Sequence, residues 1–231
     1  MEGVTADQQQ FYNLGSASTI LGVESDYSKW VILSYMGRIN YGYKDRYLLT
    51  VTARADGSSR FAPGNQWGYF PSMALAWRIS DENFMKNISS LTEMKVRVGY
   101  GSTGNTGINP YATQGALLRN AYSFGETSAF GFHPNVFRNL DLKWESTASF
   151  NVGVDFGFLD NRINGSIDVY HQNTTDLLMN RQIPANTGFT SVLSNIGATQ
   201  NQGLEIALST VNIDSRSGFK WQTDFSFYIN R

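Results

Sequence analysis

Asp155 and Asp168 are the residues that first suggest chemistry. They share a parity on two neighbouring alternating runs and stand diagonally opposed if Leu159 pairs with Arg162 across the turn between them. Two facing carboxylates can cleave a glycosidic bond, one as acid and the other as base or nucleophile. That work needs surroundings that raise one carboxyl pKa, and the same parity carries only polar neighbours such as Asn151, Asn164 and Gln172. The pair therefore reads as wall lining and not as a catalytic centre. Gly99-Tyr100-Gly101-Ser102-Thr103-Gly104 matches the dinucleotide fingerprint G-x-G-x-x-G. Its context fails, because Asn105-Thr106-Gly107-Ile108-Asn109-Pro110 follows where a helix should start, so it reads as a loop. His133 and His171 lack ligand spacing, and with Cys 0 there is no thiolate site or cysteine nucleophile. No catalytic residue, metal or cofactor is implied, and the chain is not read as an enzyme.

The elements that would position such residues are strands. The 231 residues are 14% aromatic with 22 glycines, but only 16% charged against the roughly 25% of soluble domains. A net charge of -1 gives no field for a polyanion, which argues against nucleic acid as a partner. Mean hydropathy is -0.30, and no apolar run is long enough for a membrane helix. A membrane β-barrel stays open, because its strands hide a lipid face in alternation.

Alternation recurs along the chain. Spans 30–41, 46–56, 67–79, 93–101, 142–158, 163–172, 203–211 and 219–230 read as about eight strands, several longer than the usual 5 to 6 residues. Pairing the first two about Gly42 to Arg46 sets Tyr41 opposite Tyr47 and Ile39 opposite Leu49. One parity is apolar: Val31, Leu33, Ile39, Leu49, Val51, Leu75, Val96, Val152, Val154, Ile167, Ile206 and Phe225. Tyr41, Tyr47, Trp77, Phe158 and Phe219 at strand ends suit an interfacial girdle. The other parity carries Arg38, Arg54, Arg78 and Arg97 on four successive strands, with Asp155 and Asp168 farther along. These six are the candidates for facing a wet lumen and whatever occupies it, and the four arginines could form a basic stripe for carboxylates. Short links alternate with long loops at about 57–66, 102–141 and 173–202, the asymmetry of an outer-membrane barrel. Asp81 to Ile88 is expected to form a helical turn or two. Phe61, Trp67, Tyr111, Phe130, Phe132 and Trp144 lie in or beside the long loops, with Tyr122 and Phe124, and are the candidates for contacting a substrate or partner.

Specific stretches resemble the SusC/RagA family of TonB-dependent outer-membrane importers. They are SYMGRINYGYKDRYLLTVTARADGSSRFAPGNQWGYFPSMALAWRIS from Ser34 to Ser80, KVRVGYGSTGNT from Lys95, LDLKWESTASFNVGVDFGF from Leu140 and IGATQNQGLEI from Ile196. The resemblance implies an all-β fold, an antiparallel transmembrane barrel of which 1–231 would be an open part, about eight strands of some 22. It implies a cell outer-membrane location in a Gram-negative, Bacteroidetes-like organism, in contact with outer-membrane lipid. It further implies uptake of a glycan oligosaccharide or peptide nutrient with a SusD-like surface lipoprotein, driven by TonB through a plug domain. Neither a plug nor a signal peptide is recognisable here, and the last run lacks a turn signal, so a fragment of a longer protein is expected. The alternative is a β module that transports nothing, either a small eight-stranded outer-membrane barrel or a soluble β-sandwich binding protein. An eight-stranded barrel has room inside only for side chains, and this inner parity is long and charged.

Overall fold

The computed structural model describes residues 27–125, 127–215 and 218–231, with Phe124 and Ser128 as backbone only. The reading of the first residues, and the possible contact role of the Phe124 side chain, lie outside that description. Twelve strands are present among the described residues: β1 (Ile32–Tyr43), β2 (Tyr47–Ser58), β3 (Trp67–Arg78), β4 (Leu91–Asn105), β5 (Leu117–Phe124), β6 (Thr127–Pro134), β7 (Glu145–Phe158), β8 (Ile163–Thr175), β9 (Leu178–Gln182), β10 (Ser191–Asn195), β11 (Ala198–Asp214) and β12 (Lys220–Asn230). Eight make one antiparallel sheet in the order β1-β2-β3-β4-β7-β8-β11-β12, while β5-β6 and β9-β10 are separate two-stranded hairpins.

The sheet is open, since β1 and β12 are its edges and do not pair with each other. That rules out a closed eight-stranded barrel. A sandwich fails as well, because no second sheet covers the apolar parity: Tyr35, Ile39, Val169, Phe225 and Ile229 on it are all more than half exposed. Registers propagate this parity through the middle of the sheet, with bulges only near its short-turn end, at Leu91/Glu93 and at Val211/Ile213. Tyr41, Leu49, Leu75, Val98, Val152, Val169, Leu204 and Ile229 are successive partners across all eight strands, an unbroken apolar row. A one-residue shift anywhere would put half the sheet's apolar side chains among its charges, so the pattern itself enforces the pairing.

Four expectations are corrected or refined. The first hairpin pairs Tyr43 with Tyr47 and Tyr41 with Leu49, two residues away from the expected register. Lys44 and Asp45 both take positive φ, which makes a tight two-residue turn and lets the strands run closer to it. The turn or two expected at Asp81 to Ile88 is of the tight kind and begins earlier: a 3-10 turn at Ile79–Asp81 is followed by hydrogen bonds three residues apart, from Met85 to Glu82 and from Ile88 to Met85. The glycines from Gly99 to Gly104 belong to β4, not to a loop. A Cβ at Gly99 would meet the Asn151 side chain, and one at Gly104 the Phe70 ring, so these glycines make room inside the sheet. Finally, the long loops at 102–141 and 173–202 hold the two small hairpins.

The deepest burial lies at the long-loop end. Phe61, Ile108 and Leu142 form a core of their own, with Ala112, Trp144, Leu178 and Leu193 packed around it. Trp144 also meets Phe70 edge-on at 5.3 Å, which ties this loop core to the polar face of β3.

Candidate functional site

Arg97 is the hub of the polar face. The β4–β7 register sets it opposite Gly153 and sets Lys95 opposite Asp155, while β7–β8 sets Gly153 opposite Asp168. The guanidinium thus lies over the glycine, where a Cβ would come within 2.9 Å of Nη2, and reaches both acids. Nε donates to Asp155 Oδ2 at 2.9 Å, and Nη2 donates to Asp155 Oδ1 at 2.7 Å and to Asp168 Oδ2 at 3.1 Å. Lys95 Nζ adds a contact to Asp155 Oδ2 at 2.8 Å. The two carboxylates are therefore neighbours, as their spacing suggested, and both are counter-ions of one cation.

The arginine stripe is real as a shared face but is largely engaged within the wall. Arg54 Nε contacts Asp56 Oδ2 at 2.7 Å, with Nη2 on Ser34 Oγ at 3.0 Å. Arg78 Nε contacts Asp81 Oδ2 at 3.2 Å. Arg38 differs, since its Nε donates only to the Thr52 hydroxyl, at 3.1 Å, and no carboxylate among the described residues pairs with it.

The loop aromatics separate into two groups. Phe61 is 2% exposed, and Trp144 packs on it at 5.6 Å while its indole N–H donates to the Gln66 carbonyl at 2.9 Å. Phe61 is corrected to a core residue with no face left for a ligand, and Trp144 to a packing residue. Trp67 falls on the apolar parity and stacks on Tyr35 with centroids 6.0 Å apart, which places it in the girdle. Tyr111, Phe130 and Phe132 remain exposed, at 47%, 61% and 68%. Arg119 lies over the Phe130 ring at 3.5 Å, and it pairs with Phe132 across β5–β6.

Sequence reasoning missed a hollow of about 630 Å³ at the same end, between the 137–143 segment and the β9–β10 hairpin. Phe137, Asp141, Lys143, Asp176, Arg181 and Pro184 line it. Asn195 builds its floor, accepting from Lys143 N–H at 2.9 Å and donating to the carbonyls of Lys143 and Asp176 at 2.8 and 2.9 Å. Lys143 Nζ and Asp176 Oδ2 pair at 2.9 Å. No local pattern announces this hollow, because its two sides are joined by contacts some fifty residues apart in sequence.

At the opposite, short-turn end, Glu82 collects three donors. Tyr47 Oη donates to Oε1 at 2.6 Å, Trp77 Nε1 to Oε1 at 3.2 Å and Arg46 Nη1 to Oε2 at 3.0 Å. The Tyr47 hydrogen bond, followed by that from Trp77, holds the Glu82 carboxyl below its ordinary pKa. Tyr47 and Trp77 also stack at 6.1 Å. Among the described residues no three His, Asp or Glu side chains gather to hold a metal.

Residues 3–230 match the family described as TonB dependent receptor-like, beta-barrel. The TonB-dependent receptor SusC of Bacteroides thetaiotaomicron is 42% identical over 205 residues, 86% of this chain and 20% of the relative. TonB-dependent receptor P26 of Formosa agariphila is 37% identical over 230 residues, 99% of this chain and 23% of the relative. Among solved structures, the RagAB peptide transporter superposes with a TM-score of 0.80 at 29% identity, over 87% of this chain and 22% of that one. The siderophore receptor PirA from Pseudomonas aeruginosa, at 14% identity and a TM-score of 0.57 over 88% of this chain and 32% of its own, shares the fold. The chain thus spans about a fifth of the length of the curated relatives it matches.

Proposed function

This chain belongs to the TonB dependent receptor-like β-barrel family and is SusC/RagA-like within it, and on that premise we propose that it forms part of the wall of an outer-membrane nutrient importer. The observation that carries the reading is the two-sidedness of one open sheet. Its bare apolar face suits lipid, and its opposite face is polar and held by ion pairs. In this reading the segment sits in the outer membrane of a Gram-negative, Bacteroidetes-type cell, and a plug domain elsewhere in a longer protein fills the lumen and engages TonB. Arg38, with no acid of its own, is the stripe residue available to a plug carboxylate. The exposed Phe130 and Phe132 and the hollow floored by Asn195 face outward, where an oligosaccharide or peptide and a SusD-like lipoprotein would dock. A peptide is supported by the likeness to RagAB, a peptide importer.

The test is uptake by the full-length protein in its host. Labelled peptide and oligosaccharide pools should enter in a TonB-dependent manner, and Arg181→Ala with Lys143→Ala at the hollow should reduce entry while outer-membrane levels stay normal. Accumulation of the protein outside the outer membrane, or entry that ignores TonB, would overturn the proposal.

A further inference from the structure

The apolar face changes character at one place. The row Ile39, Val51, Met73, Tyr100, Phe150 is apolar on five strands and continues as His171, Gln202 and Arg231 on the last three. The Gln202–Arg231 pairing is explicit, since Gln202 N–H donates to the Arg231 carbonyl at 3.0 Å and Arg231 N–H returns a bond to Gln202 at 2.8 Å. These three residues therefore stand side by side on the outward parity, with neighbouring Cβ atoms about 4.5 to 5.5 Å apart.

Strand tilt explains the change. Ten residues separate Trp67 from Trp77 on the outward face of β3, and ten separate Trp221 from Arg231 on β12. At about 3.3 Å per residue and about 40° of tilt, ten residues climb about 25 Å, the height of the apolar band of an outer-membrane barrel. If Trp77 and Trp221 mark one interface, Trp67 and Arg231 mark the other. A row that crosses tilted strands therefore runs from hydrocarbon on β1 to headgroup level on β12.

What stands at that level is an arginine, an amide and an imidazole, with no acid beside them. No Asp or Glu occupies the outward parity of β8, β11 or β12 among the described residues, and the side chains of His171 and Arg231 have no hydrogen-bond or ion-pair partner there. On the inner face, by contrast, Lys95, Arg54, Arg78 and Arg97 have carboxylates, with Arg38 the exception. Immediately below His171, Gln202 and Arg231 lies the apolar row Val169, Leu204 and Ile229, and these six residues help to line one hollow of about 380 Å³. Positive charge and amide donors over an aliphatic floor match a phosphate over an acyl chain.

We propose that His171, Gln202 and Arg231 hold the phosphate of an outer-leaflet lipid, with its chain on Val169, Leu204 and Ile229. The inference rests on the barrel-wall reading, which fixes this face toward lipid and this end outward. The test uses the full-length protein in nanodiscs, with lipid A, the same lipid A without its phosphate, and inorganic phosphate as probes. Native mass spectrometry should show phosphorylated lipid A retained at least tenfold better than the dephosphorylated form. His171→Ala with Arg231→Ala should abolish that preference, and Arg231→Lys alone should keep most of it, which controls for folding. Equal retention by the double variant, or loss of the lipid to millimolar inorganic phosphate, would overturn the lipid assignment. Unchanged TonB-dependent uptake by the double variant is expected, so failure here is distinct from failure of the importer reading, which would show as absence from the outer membrane.

Discussion

The ring of Phe70 on β3 occupies the space where Gly104 on β4 would carry a Cβ. It also lies over Gly68 and meets Trp144, so one aromatic ring on the polar face couples two strands to the loop core. Gly104→Ala forces that ring aside. Overpacking of this kind costs about 1 to 3 kcal/mol, and Phe70→Leu in the same chain should recover part of it. Urea unfolding of the full-length protein in detergent, followed by heat-modifiable gel mobility, reads both; equal stability of Gly104→Ala and the parent would contradict the packing described.

Leu142 is 0% exposed at the centre of the loop core. Leu142→Ala should leave a cavity and cost about 2 to 5 kcal/mol locally. Limited proteolysis should then cut near residues 106–112 and 185–190 much faster, with the eight-stranded sheet still protected. Cleavage spread evenly through the sheet would mean that loop core and wall are one unit.

Removing Arg97 leaves Asp155 and Asp168 facing each other with only Lys95 to balance them. Arg97→Gln should destabilise by about 1.5 to 3 kcal/mol, the worth of hydrogen bonds to charged groups. Adding Asp155→Asn and Asp168→Asn should restore much of the loss. If the triple variant is no more stable than the single one, the charge cluster is not what holds these three strands' polar faces together.

Arg38 and Arg97 should behave differently in planar bilayers. Arg38→Gln removes the stripe arginine that pairs with no acid among the described residues, so the full-length protein should insert normally and leak small solutes. Arg97→Gln should change stability more than conductance. The reverse ranking would locate the plug contact elsewhere.

Glu82 sets an acid limit at the short-turn end. Its carboxyl is depressed in the folded state by Tyr47 and Trp77, so its contribution is complete above the ordinary carboxyl value near 4.5 and disappears as pH falls through the lower folded value. Trp77 fluorescence should show a step in that acid window that Glu82→Gln removes. A step that persists in the Gln variant would assign it to another group.

Much of this was legible because alternation is a two-environment signal. Val152, Val154 and Phe156 could only share a face, and the Leu159–Arg162 pairing that follows set Asp155 diagonal to Asp168 as observed. The register of β1 and β2 was missed because it depends on Lys44 and Asp45 adopting a backbone that their side chains do not announce. Gly99 to Gly104 misled because glycine marks both turns and close approaches, and only the positions of Asn151 and Phe70 decide which. The stripe arginines share one parity of the sheet, as the alternation indicated. Their partners Asp56 and Asp81 are two and three residues away in sequence, too local to stand out against a stripe spread over four strands. The strands Leu117–Phe124 and Thr127–Pro134 of the β5–β6 hairpin alternate too weakly to separate from loop.

Among the described residues β1 and β12 each pair on one side only, and in hydrocarbon every backbone group left unmatched costs several kcal/mol. In the barrel-wall reading both margins are therefore seams, where the strands of a longer barrel must continue the ladder before lipid closes around it.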